Sequence, residues 1–195
     1  MLLDLEPATR ELARIVRHVA DEQLSAPTPC AEMSVADLLD HIDGLAVAFT
    51  LAAEKAPPAT GDDSPAEEAS PAAGWRSRIP ERLDRLAAAW RQETAWTGMT
   101  AAGGVDLPGE VAGVVALNEV VVHGWDVAAG TCQPFTSEPQ LIEAALGFVR
   151  SAAEENPAGS PGLFGPPVPV PADAPPLGRL IALSGRDPEW TSPST

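Results

Sequence analysis

The 195-residue chain has no tyrosine, one lysine among its 12 basic residues, and only two cysteines. Each shortage excludes something. Twelve basic against 28 acidic side chains give a formal net charge of −16. That is the wrong sign for neutralising phosphates, so nucleic acid is excluded as a partner, and anionic membrane surfaces are disfavoured for the same reason. Cys30 and Cys132 cannot build a disulfide framework. They read as two small, partly buried free thiols in a reducing compartment, with a chemical role for Cys30 as the lesser reading. No run of about 18 apolar residues is present, so no membrane span is expected. The opening MLLDLEPATR carries an acidic residue at position 4 and no basic region before an apolar one, unlike a secretory leader. The cytoplasm is the expected compartment. The lysine and tyrosine shortage, beside 11 arginines and abundant Ala, Pro and Gly, follows GC-rich codon usage of a bacterial kind and needs no functional cause.

What is present is helical. At 45% hydrophobic residues the chain suits one well-packed domain. A first helix is expected over Pro7 to Leu24, with Leu12, Ile15, Val16 and Val19 at helical spacing. The prolines of APTPCA (26–31) end it. Ser34 followed by Asp37 forms a capping box that starts a second helix, whose apolar stripe is Val35, Leu38, Leu39, Ile42, Leu45 and Phe49. Residues 56–74, rich in Pro, Ala, Asp and Glu, read as a surface loop. A third helix is expected over 78–96 with Pro80 in its first turn, a fourth over 111–129, and a fifth over 139–155 capped by Ser137. The tail, PGLFGPPVPVPADAPP and then LGRLIALSG, reads as a proline-rich strap tied down by Leu163 and Phe164 and ending in a helical turn. Little convincing strand is visible. The expected architecture is all-α: a helical bundle over residues 1–156 and a packed extension over 157–195.

One segment decides the functional reading. The run Val111 to Ala129, VAGVVALNEVVVHGWDVAA, is apolar on every face except at Glu119, His123 and Asp126. Such a helix is a buried one, and a buried carboxylate must be paired or metal-bound. Glu119 and His123, four residues apart, share a face. His41 lies between Leu38 and Leu45 on the inward side of the second helix. Together the three make a two-His, one-carboxylate donor set suited to Zn²⁺, or to Fe²⁺ or Ni²⁺, with a position left open. An arginine of the first or third helix pairing with Glu119 is the competing account. Asp126, near the C-terminal end where the helix dipole disfavours an anion, calls for an imidazole to orient or an arginine to pair with, and it could also accept a proton. Trp125 reads as packing or a pocket wall, His18 as surface, and Asp40 and Asp43 as a solvated face.

Four stretches carry a likeness to a known family: PTPCAEMSVADLLDHI (27–42), NEVVVHGWDVA (118–128), FGPPVPVP, and GRDPEW near the end. With them the chain resembles the DinB-like superfamily of metal-binding four-helix bundles, in the branch of the mycothiol-dependent maleylpyruvate isomerases. The resemblance implies His41, Glu119 and His123 as metal ligands and a small thiol, mycothiol, as cofactor. Met33 stands where such proteins carry Trp, and the isomerase's extra C-terminal domain is replaced here by the strap.

The function expected from these readings is a metal- and thiol-dependent transferase or isomerase. The thiol would be deprotonated on the cation and add to an electrophilic small molecule, with Asp126 as the catalytic carboxylate. The alternative is a non-catalytic metal-binding or stress-associated module with a closed four-ligand site. Homodimer formation stays open, because no exposed apolar patch stands out.

Overall fold

The computed structural model describes residues 2–57, 71, 73–159 and 164–192. Six helices and one hairpin follow in the order α1 (Glu6–Arg17), α2 (Val35–Ala53), α3 (Trp75–Trp90), β1 (Met99–Ala102), β2 (Val105–Pro108), α4 (Gly109–Gly130), α5 (Pro139–Glu155) and α6 (Pro176–Leu183). Helices α1 and α2 each pack against both α3 and α4, which makes α1–α4 a four-helix bundle. α5 lies on α4, and α6 lies on α5. The expected all-α bundle is therefore present.

The cap at Ser34 forms as its residue types require. The Asp37 amide donates to Ser34 Oγ at 3.3 Å, and the Ser34 amide donates to the Asp37 carboxylate at 2.9 Å, so two orphan donors of the first turn are satisfied. The inward stripe of α2 is the expected one, from Val35 to Phe49. α4 is buried over most of its 22 residues. By length and composition it could cross a membrane, but 72% of its most apolar window is covered by the rest of the fold. That makes it a core helix.

Several boundaries differ from the sequence reading. α1 stops at Arg17, because the Gln23 side chain takes up the Ala20 amide and the Thr131 carbonyl and turns residues 21–23 into a short 3₁₀ turn. α3 begins three residues earlier than expected and ends at Trp90, which puts Pro80 inside the helix rather than in its first turn. α5 has its predicted limits, but its cap is Glu138, and the Ser137 hydroxyl is buried without a partner. The β1–β2 hairpin was not expected. Its two-residue turn is Gly103–Gly104, both at positive φ (58° and 76°), the backbone a two-residue hairpin demands and glycine supplies without strain. Thr100 Oγ1 donates to the Ala52 carbonyl at 2.6 Å and ties the hairpin to α2. Most of the 56–74 loop, and Leu163, lie outside the described residues. Phe164 packs on the core, edge-on to Phe148.

Asp43 corrects the reading of a solvated face. It is buried, and Arg78 and Arg82 of α3 each hold it at 2.8 Å; Asp40 beside it is partly exposed. Alternating apolar residues around Asp43 hid a charge that α3 compensates.

Gly113 of α4 lets the Trp96 and Trp90 rings lie against the helix: a Cβ there would stand 2.5 Å from Trp96 and 2.9 Å from Trp90. Gly44 of α2 faces open space. Gly113→Ala should therefore lose about 1–3 kcal/mol to overpacking, whereas Gly44→Ala should gain about 0.5–1 kcal/mol from helix propensity. Urea unfolding of the two variants reads both signs.

Candidate metal centre

α2 and α4 cross so that three donors meet. His41 Nε2 lies 3.7 Å and His123 Nε2 3.1 Å from the same oxygen of Glu119. The two imidazoles stand edge to face, centroids 4.9 Å apart, and the donor atoms of all three residues fall within 4.8 Å of one another. Glu119 and His123 are largely shielded, whereas the His41 side chain is 38% exposed and marks the side open to solvent. Among the described residues no arginine of the first or third helix makes an ion pair with Glu119; Arg10 is paired with Glu6, Arg14 with Glu11, Arg76 with Asp21, and Arg78 and Arg82 with Asp43.

A second set lies on the other side of His123. Cys30, His123 and Asp126 also have donor atoms within 4.8 Å of one another. Asp126 is fully buried, with one oxygen 3.0 Å from His123 Nδ1. Both alternatives raised by its place in the sequence hold together, for Arg186 also donates to it from Nε at 3.3 Å and from Nη2 at 3.1 Å. The carboxylate keeps a proton on Nδ1, so Nε2 is the nitrogen presented to Glu119 and His41. Arg186 itself is buried, and its Nη1 donates to the Ser184 carbonyl at 2.8 Å.

The two sets differ in charge. The Asp126 set already holds a cation, the Arg186 guanidinium, and has no need of another. The Glu119 set holds a buried carboxylate whose ion pairs are with two imidazoles. It fits a divalent cation in donor type, number and spacing.

Without a cation the imidazoles must serve. Burial alone would raise the Glu119 carboxyl, but its ion pairs with His123 and His41 outweigh that and bring its pKa down to about 2. Burial alone would lower His123, but its bonds to Asp126 and Glu119 lift it to about 9. The ion-free site is thus an ion-pair network centred on a protonated His123.

The segment that carries these three residues matches a known family. Residues 5–128 match the mycothiol maleylpyruvate isomerase N-terminal domain. The chain is a member of that family. The match covers α1–α3, the hairpin and nearly all of α4, and with them His41, Glu119, His123 and Asp126. Two uncharacterised proteins of Mycobacterium tuberculosis, from strains CDC 1551 / Oshkosh and ATCC 25618 / H37Rv, are each 30% identical to the chain over 197 residues, 95% of this chain and 97% of theirs. The crystal structure of a mycothiol-dependent maleylpyruvate isomerase superposes with a TM-score of 0.60 at 17% identity, over 77% of this chain and 69% of that one. A structure of a point mutant of that isomerase gives 0.57 at 18% identity, with the same coverage. At such identities the structures speak for the fold.

His18 is exposed as expected, and Trp125 and Met33 are partly buried. Cys30 is partly buried, but Cys132 is exposed, against the expectation that both are shielded. Arg186 escaped the sequence reading. It stands in the GRDPEW stretch, 60 residues beyond Asp126, and no periodicity links the two. The available signal was an arginine closely following the apolar run LIAL.

Two outcomes follow. Removing the guanidinium in Arg186→Met strands a buried carboxylate and should cost about 3 kcal/mol of stability, read by urea titration. In chelator-treated protein, the raised pKa of His123 gives stability that is complete below about pH 6.5 and lost as pH climbs through about 9. The lowered pKa of Glu119 gives stability that is complete above about pH 4.5 and lost toward about 2. Tm should therefore fall between pH 6.5 and 9, and Glu119→Gln should flatten that limb.

Proposed function

We propose that His41, Glu119 and His123 hold a divalent cation, zinc first and nickel or iron by the same donors, and that the protein uses it to activate a small thiol for transfer or isomerisation. The observation that carries this reading is the Glu119 carboxylate, largely shielded between two helices and paired, among the described residues, with imidazoles. Membership of the family supports mycothiol as the thiol and a small electrophile as its acceptor.

The cation, when bound, would lower the pKa of a coordinating thiol and supply a thiolate nucleophile. The rest falls to the chain. Three protein donors leave a position free, as catalytic sites require and closed structural sites do not. Asp126 orients His123 through Nδ1 and fixes which nitrogen faces the donor set. Arg186 donates to Asp126 and holds it in place. Exposure of the His41 side puts the entry for thiol and electrophile there. Asp126 is fully buried and doubly partnered, so its part is to position His123; direct exchange of a proton with substrate would require it to leave both partners.

Elemental analysis of the purified protein should find near-stoichiometric metal, lost in His41→Ala and Glu119→Ala. The loaded protein should turn over an electrophile only when a thiol such as mycothiol is supplied. A protein that takes up no zinc, nickel or iron on reloading would overturn the metal centre. Stoichiometric metal with no thiol-dependent product would overturn the enzymatic part alone.

A further inference from the structure

Helix α2 carries a glycine that neither its backbone nor its packing requires. Gly44 lies midway along the helix with a φ outside the left-handed region. It is exposed, and a Cβ built on it would meet no atom of the described residues within 4 Å. Glycine inside a helix destabilises it relative to alanine, so what the position provides is space.

That space has a particular place. His41 and Gly44, three residues apart, share a face of α2. A helical side chain leans toward the N-terminus and covers the turn before its own Cα. For position 44 that turn is the one holding His41, whose half-exposed side chain marks the open edge of the donor set. A larger residue at 44 would reach over that edge. The seam continues beyond it. α2 and α4 run antiparallel, for His41 meets Glu119 and His123, while at the other end a Cβ on Gly109 would stand 2.8 Å from Lys55 Nζ. The row on from His41 is Gly44 and Ala48; the row back from Glu119 is Val115 and Val111. Ala48 and Val115 are partly exposed, and Val111 is exposed. Beside the open edge the surface is therefore small-sided on α2 and apolar on α4.

We infer that Gly44 sets the size of thiol that the centre accepts: its missing side chain leaves room for the body of the thiol, held by its sulfur at the open position, to lie along α2 beside His41. The inference deepens the function proposed above and rests on it. The thiol is the occupant because the open position is where its sulfur binds, and a molecule held there needs clearance over the same turn of α2.

The test titrates cobalt-loaded wild type, Gly44→Ala, Gly44→Leu and Gly147→Leu with 2-mercaptoethanol and with mycothiol. The readout is the sulfur-to-cobalt charge-transfer band, with cobalt content and urea stability measured on the same samples. Gly147 is the control: an exposed helical glycine with nothing within 4 Å of its Cβ, on a helix that carries none of the three donors. Gly44→Leu should bind mycothiol about tenfold or more weakly than the wild type, the scale of a misfit at one side chain. Gly44→Ala should lose less, without loss of stability. Both should bind 2-mercaptoethanol as the wild type does, and Gly147→Leu should bind both thiols unchanged. Wild-type affinity for mycothiol in Gly44→Leu overturns the inference and leaves the thiol-binding centre standing. Equal losses for both thiols also overturn it, since residue 44 would then act without regard to size. A fully loaded wild type that gives no band with either thiol overturns the inference together with the thiol reading beneath it, and no bound cobalt overturns the metal centre as well.

Discussion

Burying two carboxylates on one otherwise apolar helix sets the terms for everything packed around it. Glu119 and Asp126 lie two turns apart on α4, with His123 between them, and α4 runs through the middle of the fold. An ionised carboxylate removed from water is tolerated only with charge-assisted partners. His123 serves both anions, offering Nε2 to Glu119 and Nδ1 to Asp126, but one imidazolium cannot neutralise two carboxylates. Each needs a second partner, and the two partners come from either side of α4 in the sequence: His41 from α2 and Arg186 from beyond α6. The bundle and its extension are thus fastened to the same helix by the same electrostatic requirement.

That requirement also explains an asymmetry between the sets. Arg186 is a permanent cation, delivered by the fold and held by the Ser184 carbonyl as well as by Asp126. His41 is only conditionally charged and lies at the edge of solvent. The Asp126 side is closed and internally neutral, which suits a positioning element. The Glu119 side is paired with imidazoles, and its His41 edge meets solvent. Direction is built into the site: a permanent guanidinium behind His123, a solvent-edge imidazole in front of it.

Helix positions and the donor trio could be read from the chain because both rest on local rules. The Ser34–Asp37 box, the stripe from Val35 to Phe49, and the four-residue spacing of Glu119 and His123 follow from the period of an α-helix, and all three reappear in the structure. What escaped depends on distant partners. Asp43 looks like one more solvent-facing acid until α3 presents Arg78 and Arg82. Arg186 has no sequence relation to Asp126 across 60 residues. Cys30 gains its place only because the loop holding it settles on Gly130. The Gly103–Gly104 hairpin was an available local signal, but the short, weakly alternating strands beside it gave no reason to expect one.

The position of Arg186 bears on what the C-terminal segment is for. The family match ends at Ala128, so by that boundary the residues after it are an appendage. The charge count says otherwise. Without Arg186, Asp126 would share His123 with Glu119 and be left fully buried with no cation of its own, a costly state for a carboxylate. α6 supplies the scaffold for this contact: Leu180 joins the main core, the Ser184 hydroxyl closes on the Ile181 carbonyl at 2.8 Å, and Gly185, at φ 83°, turns the chain so that Arg186 enters the site. Arg186, from beyond α6, therefore completes the charged network that His41 of α2 joins from the other side of His123.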